Sequence, residues 1–127
     1  NEVFMHIKNF RFKMLDPVYQ TDQNKSIYDW YVYQLLHRFV LMPSGEVTYQ
    51  DRGNPSGQIS TTMDNNMVNT FLQAFEFAYV HPELSLDELD VLYSQTDSLI
   101  YGDDRLTSWP IIPEDYVSIV VSMYEHV

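Results

Sequence analysis

The sequence predicts an α+β fold, and three observations carry that prediction. Apolar residues recur every three or four positions in several long stretches, as amphipathic helices require. Short alternating segments run into Gly-bearing turns, as β-hairpins require. The chain has 127 residues, 45% of them hydrophobic and 15% aromatic, enough for one domain with its own core and too apolar for disorder.

The elements follow in order. Val3 to Leu15 carries Phe4, Ile7, Phe10 and Met14 at helical spacing, with Lys8 and Arg11 on another side, and Asp16-Pro17 ends it. Residues 17–25 are polar and read as loop. Ser26 is placed to cap a second helix, Ile27 to about Val40, in which Ile27, Tyr31, Leu35 and Phe39 repeat every four residues. Pro43-Ser44-Gly45 reads as a turn, and Glu46 to Gln50 alternates like a short strand. Gly53-Asn54-Pro55-Ser56-Gly57 is the most turn-rich stretch, and a long helix follows it, roughly Thr62 to Tyr79. On that helix Met63, Met67, Phe71, Ala74 and Ala78 form an apolar stripe expected to be core. Asn65, Asn69, Gln73 and Glu76 form a separate polar line. Pro82 to Tyr93 is acidic and partly helical, with Glu83 to Asp90 reading as a solvated face. Leu99-Ile100-Tyr101, Gly102-Asp103 and Asp104-Arg105-Leu106 read as a hairpin with Gly at the first central position of its turn. Pro113, Glu114 and Asp115 open a last helix, apolar at Tyr116, Ile119, Val120 and Met123.

Composition narrows the chemistry. Without cysteine there are no disulfides and no thiolate metal sites. No apolar run approaches the ~18 residues of a spanning helix. The chain opens on Asn1 and closes on Glu125-His126-Val127 inside an expected helix, so both ends read as cut. The net charge of −11 is awkward for a nucleic-acid binder, which neutralises phosphates with a basic patch. Lys8, Arg11 and Lys13 crowd the N-terminal segment, and the other basic residues are sparse. His6, His37, His81 and His126 show no ligand spacing and read as surface or packing residues.

Two features can carry chemistry. Asp103 and Asp104 at a tight turn offer hard oxygen ligands suited to Mg²⁺ or Mn²⁺, and held metal ions can catalyse phosphoryl transfer. Leu99, Ile100 and Tyr101 are expected to seat that turn on a buried strand. A solvated Gly-Asp hairpin explains the same residues without catalysis. The second feature is Ser56-Gly57 feeding a helix, where free backbone N–H groups face outward. Thr61 lies four residues past Gly57 and Asn65 eight, one helical turn apart, so both can look the same way. Hydroxyl and amide groups so spaced suit a sugar hydroxyl. The plainer alternative makes Thr61 or Thr62 an N-cap and Asn65 a solvated helix residue.

Taken together, the two features resemble the palm of positive-strand RNA virus polymerases. Motif B there is a Ser-Gly loop with Thr and Asn at these offsets before a long helix, and motif C is a Gly-Asp-Asp hairpin some forty residues on. The earlier Pro-Ser-Gly is a control: the same offsets past Gly45 give Tyr49 and Gly53. The strings Trp30-Tyr31-Val32, Leu41 to Thr48, Gly53 to Gln58, Ser60 to Asn69, Gln73 to Phe77 and Tyr101 to Leu106 are astrovirus-like, and the resemblance covers nearly the whole chain. It departs most at residues 16–25 and 81–96.

The resemblance implies a partial palm over residues 1–127, an RRM-like antiparallel sheet with packed helices that lacks the motif A strand. Motif B would occupy about 53–79, motif C about 98–107 and the start of the motif D helix about 113–127. Asp103 would be the motif C metal ligand, with Asp104 weaker or indirect. Ser56 and Gly57 would shape a mobile loop beside template and incoming nucleotide, and Gly102 would lie against the nucleotide or RNA. Asn65 with Thr61 would select ribose through its 2′-hydroxyl. The implied activity is template-directed nucleotidyl transfer by two-metal chemistry in viral RNA replication. The implied partners are RNA template and nascent strand, NTPs, and the rest of the polymerase with its fingers, thumb and motif A. The implied location is host cytoplasm, at membrane-associated replication sites. The motif A aspartates, the motif D lysine and the basic fingers motifs are not in this sequence, so the segment alone is expected to be inactive. An acidic α+β interaction domain with no catalytic role, or the palm of another positive-strand virus family, are the alternatives.

Overall fold

A computed structural model of the chain describes residues 2–126, and the fold is α+β. It divides into two compact units, Asn1–Val68 and Asn69–Val127. The antiparallel pairing takes the form of two separate hairpins rather than one continuous sheet among the described residues. No described helix is long and apolar enough to cross a membrane.

The first unit begins with helix α1, Glu2–Lys13. Asp16 then accepts from the Val18 N–H and caps a short 3-10 turn, Pro17–Tyr19. Helix α2 spans Asp22–Leu36, which corrects the expected cap at Ser26, start at Ile27 and end near Val40. Thr21 is the N-cap, its hydroxyl accepting from Asn24 N–H at 3.2 Å, and the Lys25–Asp29 ion pair supports the first turns. At the other end His37 turns extended, because residues 38–41 are claimed by a hairpin. Strands β1, Arg38–Leu41, and β2, Val47–Gln50, pair antiparallel with Phe39 opposite Tyr49. Arg38 donates to the Leu35 carbonyl and to Gln50 Oε1, each at 2.7 Å, fastening the hairpin to the end of α2.

The inward faces of α1 and α2 differ from the expected stripes. Phe4, Lys8 and Phe12 point inward on α1, while Phe10 and Met14 are exposed. On α2 the buried residues are Val32 and Leu36, and Ile27 is exposed. Phe4, Val32 and Leu36 form the core of this unit, with Tyr28, Tyr31, Leu35 and Val68 packed around them.

Helix α3, Thr61–Val80, begins in the first unit and continues in the second. Its apolar stripe was expected to be core, yet Met63 is 57% and Phe71 45% exposed, while Asp64, Gln73 and Glu76 are buried. The reason is electrostatic: each buried polar residue meets partners of matching chemistry on another element of its own unit, as described below.

The second unit continues with α4, Leu86–Tyr93, opened by a capping box between Ser85 and Glu88. Strands β3, Asp97–Tyr101, and β4, Asp104–Ser108, pair antiparallel, and α5 spans Tyr116–His126. Its core sits on Phe77, Val80 and Met123. The Phe77 ring packs against His81, Tyr93 and Trp109, with Trp109 edge-on at 5.1 Å between centroids. His81 is thus a packing residue, as its lack of ligand spacing suggested.

Candidate functional site

In the first unit the site is the loop 53–60 and the first turns of α3. Gly57 has φ +84°, a left-handed conformation that side-chain-bearing residues resist, and this lets the chain reverse into the helix. Ser56 and Gly57 are exposed. Thr61 does not act as a cap: its hydroxyl donates to the Pro55 carbonyl at 2.6 Å and ties the loop to the helix. Nor is Asn65 a solvated bystander. It is half-buried, and its Oδ1 accepts from Asn54 Nδ2 at 2.8 Å.

Beneath this loop lies a charge cluster that the sequence reading missed. Asp64 is fully buried, and Lys8 is 2% exposed. Lys8 Nζ lies 2.7 Å from Asp64 Oδ2 and 3.1 Å from Ser60 Oγ, and it also sits 5.3 Å from the ring centres of Phe4 and Tyr31. Arg11 pairs with the other carboxylate oxygen. Ser60 Oγ and Gln58 Nε2 reach Oδ2 at 2.8 and 3.0 Å. Burial pushes the Asp64 carboxyl up, but hydrogen bonds from Lys8, Ser60 and Arg11 and the Lys8 charge outweigh it, holding the group below the usual carboxylate range. The signal was available. Phe4, Lys8 and Phe12 are spaced i, i+4, i+8, so Lys8 sits in the middle of an apolar face and needs a buried partner.

In the second unit the site is the turn between β3 and β4. Tyr101 pairs with Asp104, leaving Gly102 and Asp103 as the two turn residues. Gly102 has φ +64°, and no residue other than glycine has positive φ among those described, which makes the turn type II′ rather than I′. Asp103 therefore lies in the turn and Asp104 in the ladder, so the two carboxylates are not equivalent. Both are exposed.

The expected seating of this turn on a buried strand is not what holds it. Leu99 is 73% and Tyr101 74% exposed, and only Ile100 on that side is half-buried. Instead the polar line of α3 grips the hairpin. Asn69 Nδ2 points at the carbonyls of Gly102, Asp103 and Asp104, at 3.4, 3.1 and 3.4 Å. Gln73 donates to Ser98 on β3. Glu76, 3% exposed, pairs with Arg105 on β4 at 2.5 Å and accepts from Tyr116 and Tyr124 of α5. Positions 69, 73 and 76 share one helix face, so a single face holds the turn and both strands.

Two adjacent carboxylates on a pinned turn are the right donors for a hard divalent cation, and two oxygens are a share of the six that Mg²⁺ takes. No group of three or more acidic or His side chains that could hold a metal occurs among the described residues. Asp103 and Asp104 thus fit part of a site. Of the residues singled out by sequence, Thr61 and Asn65 come together with Asn54 in the first unit, and Ser56 and Gly57 lie in the loop between Asn54 and Thr61. Gly102, Asp103 and Asp104 come together with Asn69 in the second.

Residues 2–126 match the family described as viral RNA-dependent RNA polymerase, and the chain belongs to that family. It is 61% identical over 127 residues to the non-structural polyprotein 1AB of Ovine astrovirus 1, covering 100% of this chain and 9% of that protein. It is 60% identical to the same polyprotein of Mink astrovirus 1 over 126 residues, 99% of this chain and 9% of the relative. For Human astrovirus-1 the identity is 49% over 126 residues, 98% and 8% respectively. The chain therefore spans about a tenth of the curated relatives it matches. No solved structure matches it.

Proposed function

We propose that this chain is the motif B and motif C part of an astrovirus-type RNA polymerase palm, serving template-directed transfer of nucleotides to a growing RNA 3′ end. The observation that carries this reading is the pinned turn: three consecutive carbonyls held by one amide, in a chain of the viral RNA polymerase family. An acidic interaction domain would also expose Asp103 and Asp104, but it has no need to fix the backbone beneath them.

In this reading Asp103 and Asp104 would hold Mg²⁺ or Mn²⁺, and the chemistry such an ion would supply is charge neutralisation at the phosphoryl group and a lowered pKa of the attacking hydroxyl. Asn69 keeps the two carboxylates in place, which matters because misplacement of reacting groups by about 1 Å can cost on the order of a hundredfold in rate. Asn65 and Thr61 meet the sugar of the incoming nucleotide, and Ser56 and Gly57 shape the loop beside it. RNA and NTPs are the partners. Two carboxylates alone cannot hold two metal ions and a triphosphate, so the remaining ligands come from other parts of the polymerase, and the 127-residue segment by itself is inactive.

The test is elongation by the polymerase carrying this segment. Asp103→Asn lowers the rate by about a thousandfold or more, on the scale of losing a charge-stabilising group, and Asp104→Asn lowers it less. Equal losses contradict the unequal placement of the two residues, and an active Asp103→Asn enzyme overturns the catalytic reading.

A further inference from the structure

The first unit contains a chain of side-chain amides whose direction is fixed from end to end. An ionised carboxylate can only accept, so Asp64 Oδ2 draws the NH₂ group of Gln58, at 3.0 Å. Gln58 Oε1 faces the other way and accepts from the Ser60 N–H at 2.9 Å and the Tyr31 hydroxyl at 3.2 Å. The same Gln58 NH₂ reaches Asn54 Oδ1 at 3.2 Å. Asn54 must then turn its own NH₂ away, and it meets Asn65 Oδ1 at 2.8 Å and the Thr61 carbonyl at 3.4 Å. Each amide thus touches at least one partner that can only donate or only accept, and none can flip without opposing like groups.

The last member is left with one orientation. Asn65 Oδ1 is taken by Asn54, so its NH₂ is the edge presented, and nothing among the described residues accepts from it. Thr61 lies one turn away, and its hydroxyl proton is spent on the Pro55 carbonyl. What Thr61 presents is a lone pair.

We infer that Asp64 sets, through Gln58 and Asn54, which edge of the Asn65 amide faces the nucleotide. Asn65 then offers a donor and Thr61 an acceptor, a pair complementary to a ribose 2′-hydroxyl, which both accepts and donates. A 2′-deoxyribose satisfies neither. Asn54 is thereby a positioning residue for sugar selection. The inference rests on the reading above that Asn65 and Thr61 meet the sugar.

The test compares kcat/KM for an NTP with that for its 2′-deoxy and 2′-fluoro analogues, in the polymerase carrying this segment. Asn54→Asp places an acceptor against Asn65 Oδ1 and turns the Asn65 amide over, so its carbonyl faces the sugar. The ribo-over-deoxy ratio is expected to fall about tenfold, the worth of one good hydrogen bond, because the ribonucleotide value drops. A fluorine accepts and does not donate. The Thr61 lone pair opposes fluorine in both enzymes, but Asn54→Asp also replaces the Asn65 NH₂ by a carbonyl, so the 2′-fluoro value falls relative to the 2′-deoxy value, which general loosening of the fold does not do. Asn54→Ala frees the Asn65 amide without reversing it, gives a smaller fall, and carries the test if Asn54→Asp does not fold. Asn65→Ala separates the two levels of the argument. If it lowers the ratio while both Asn54 variants keep the native ratio, the amide chain is overturned and the role of Asn65 stands. If Asn65→Ala leaves the ratio unchanged, the role of Asn65 is wrong and the inference falls with it.

Discussion

Asp64 shows what a single residue contributes and why it was hard to read in the sequence. It stands in a run of polar residues, Asp64-Asn65-Asn66, at the start of an amphipathic helix, where acidic side chains usually face water. Its burial is decided by Lys8 and Arg11, more than fifty positions away. The Ser56-Gly57 turn and the helical step from Thr61 to Asn65 were legible because their spacing is local, whereas the Phe4, Lys8, Phe12 spacing says that Lys8 needs a buried partner and not that the partner is Asp64. Removing the carboxylate strands a buried lysine. Asp64→Ala is expected to cost about 3–5 kcal/mol, the usual result of breaking a buried pair from one side. The pH dependence follows from the lowered carboxyl of Asp64. A depressed folded-state pKa contributes stability that is complete above the ordinary value of about 3.9 and is lost as pH falls through the folded value. The stability gap between the native chain and Asp64→Asn, measured by denaturant titration, should therefore be constant near neutrality and narrow below about pH 4. A gap that is the same at about pH 7 and about pH 2 sinks this account of Asp64.

At the level of elements, the β3–β4 hairpin was readable from Tyr101 to Asp104 because Gly at the first turn position specifies its geometry. Helix α3 was readable in extent but not in orientation. Periodicity separates the Met63–Phe71 side from the Asn69–Glu76 side, yet it cannot say which faces inward when the polar side has buried partners waiting. The boundary of α2 was missed for a related reason: Ser26 and Thr21 are both plausible caps, and Lys25–Asp29 pairing extends the helix back to Thr21. Glu76 is where the α3 polar face matters most, since it joins β4 and α5 to the helix through Arg105, Tyr116 and Tyr124. Burial pushes the Tyr124 hydroxyl up, and its bond to the Glu76 carboxylate pushes it further in the same direction. Glu76→Ala should destabilise the second unit by about 3 kcal/mol, since Arg105 is left without its partner. Hydrogen exchange of the β3 and β4 amides reads this directly. Unchanged protection there contradicts the view that Glu76 fastens the hairpin.

For the whole chain, the net charge of −11 sets a constraint that the ion pairs make stricter. Two of its seven basic residues, Lys8 and Arg11, are committed to Asp64, and Arg105 is committed to Glu76. Lys25 faces Asp29, and Arg38 is bound to carbonyls of Leu35 and Gly53. Little positive charge is left to neutralise phosphates, and neutralisation of phosphates supplies most of non-specific RNA affinity. A polymerase needs that affinity, so in the proposed function it comes from the roughly nine-tenths of the relatives' length that this chain does not cover. The acidic balance thus fits the proposed role, in which this segment contributes carboxylates and sugar contacts while basic residues elsewhere hold the strand. The chain on its own is accordingly expected to show no measurable binding to a single-stranded oligonucleotide in fluorescence anisotropy at physiological salt. Binding tighter than about 10 μM that weakens steeply with salt would mean that several phosphates are being neutralised here. Some of the ion pairs described would then have to open to free their cations.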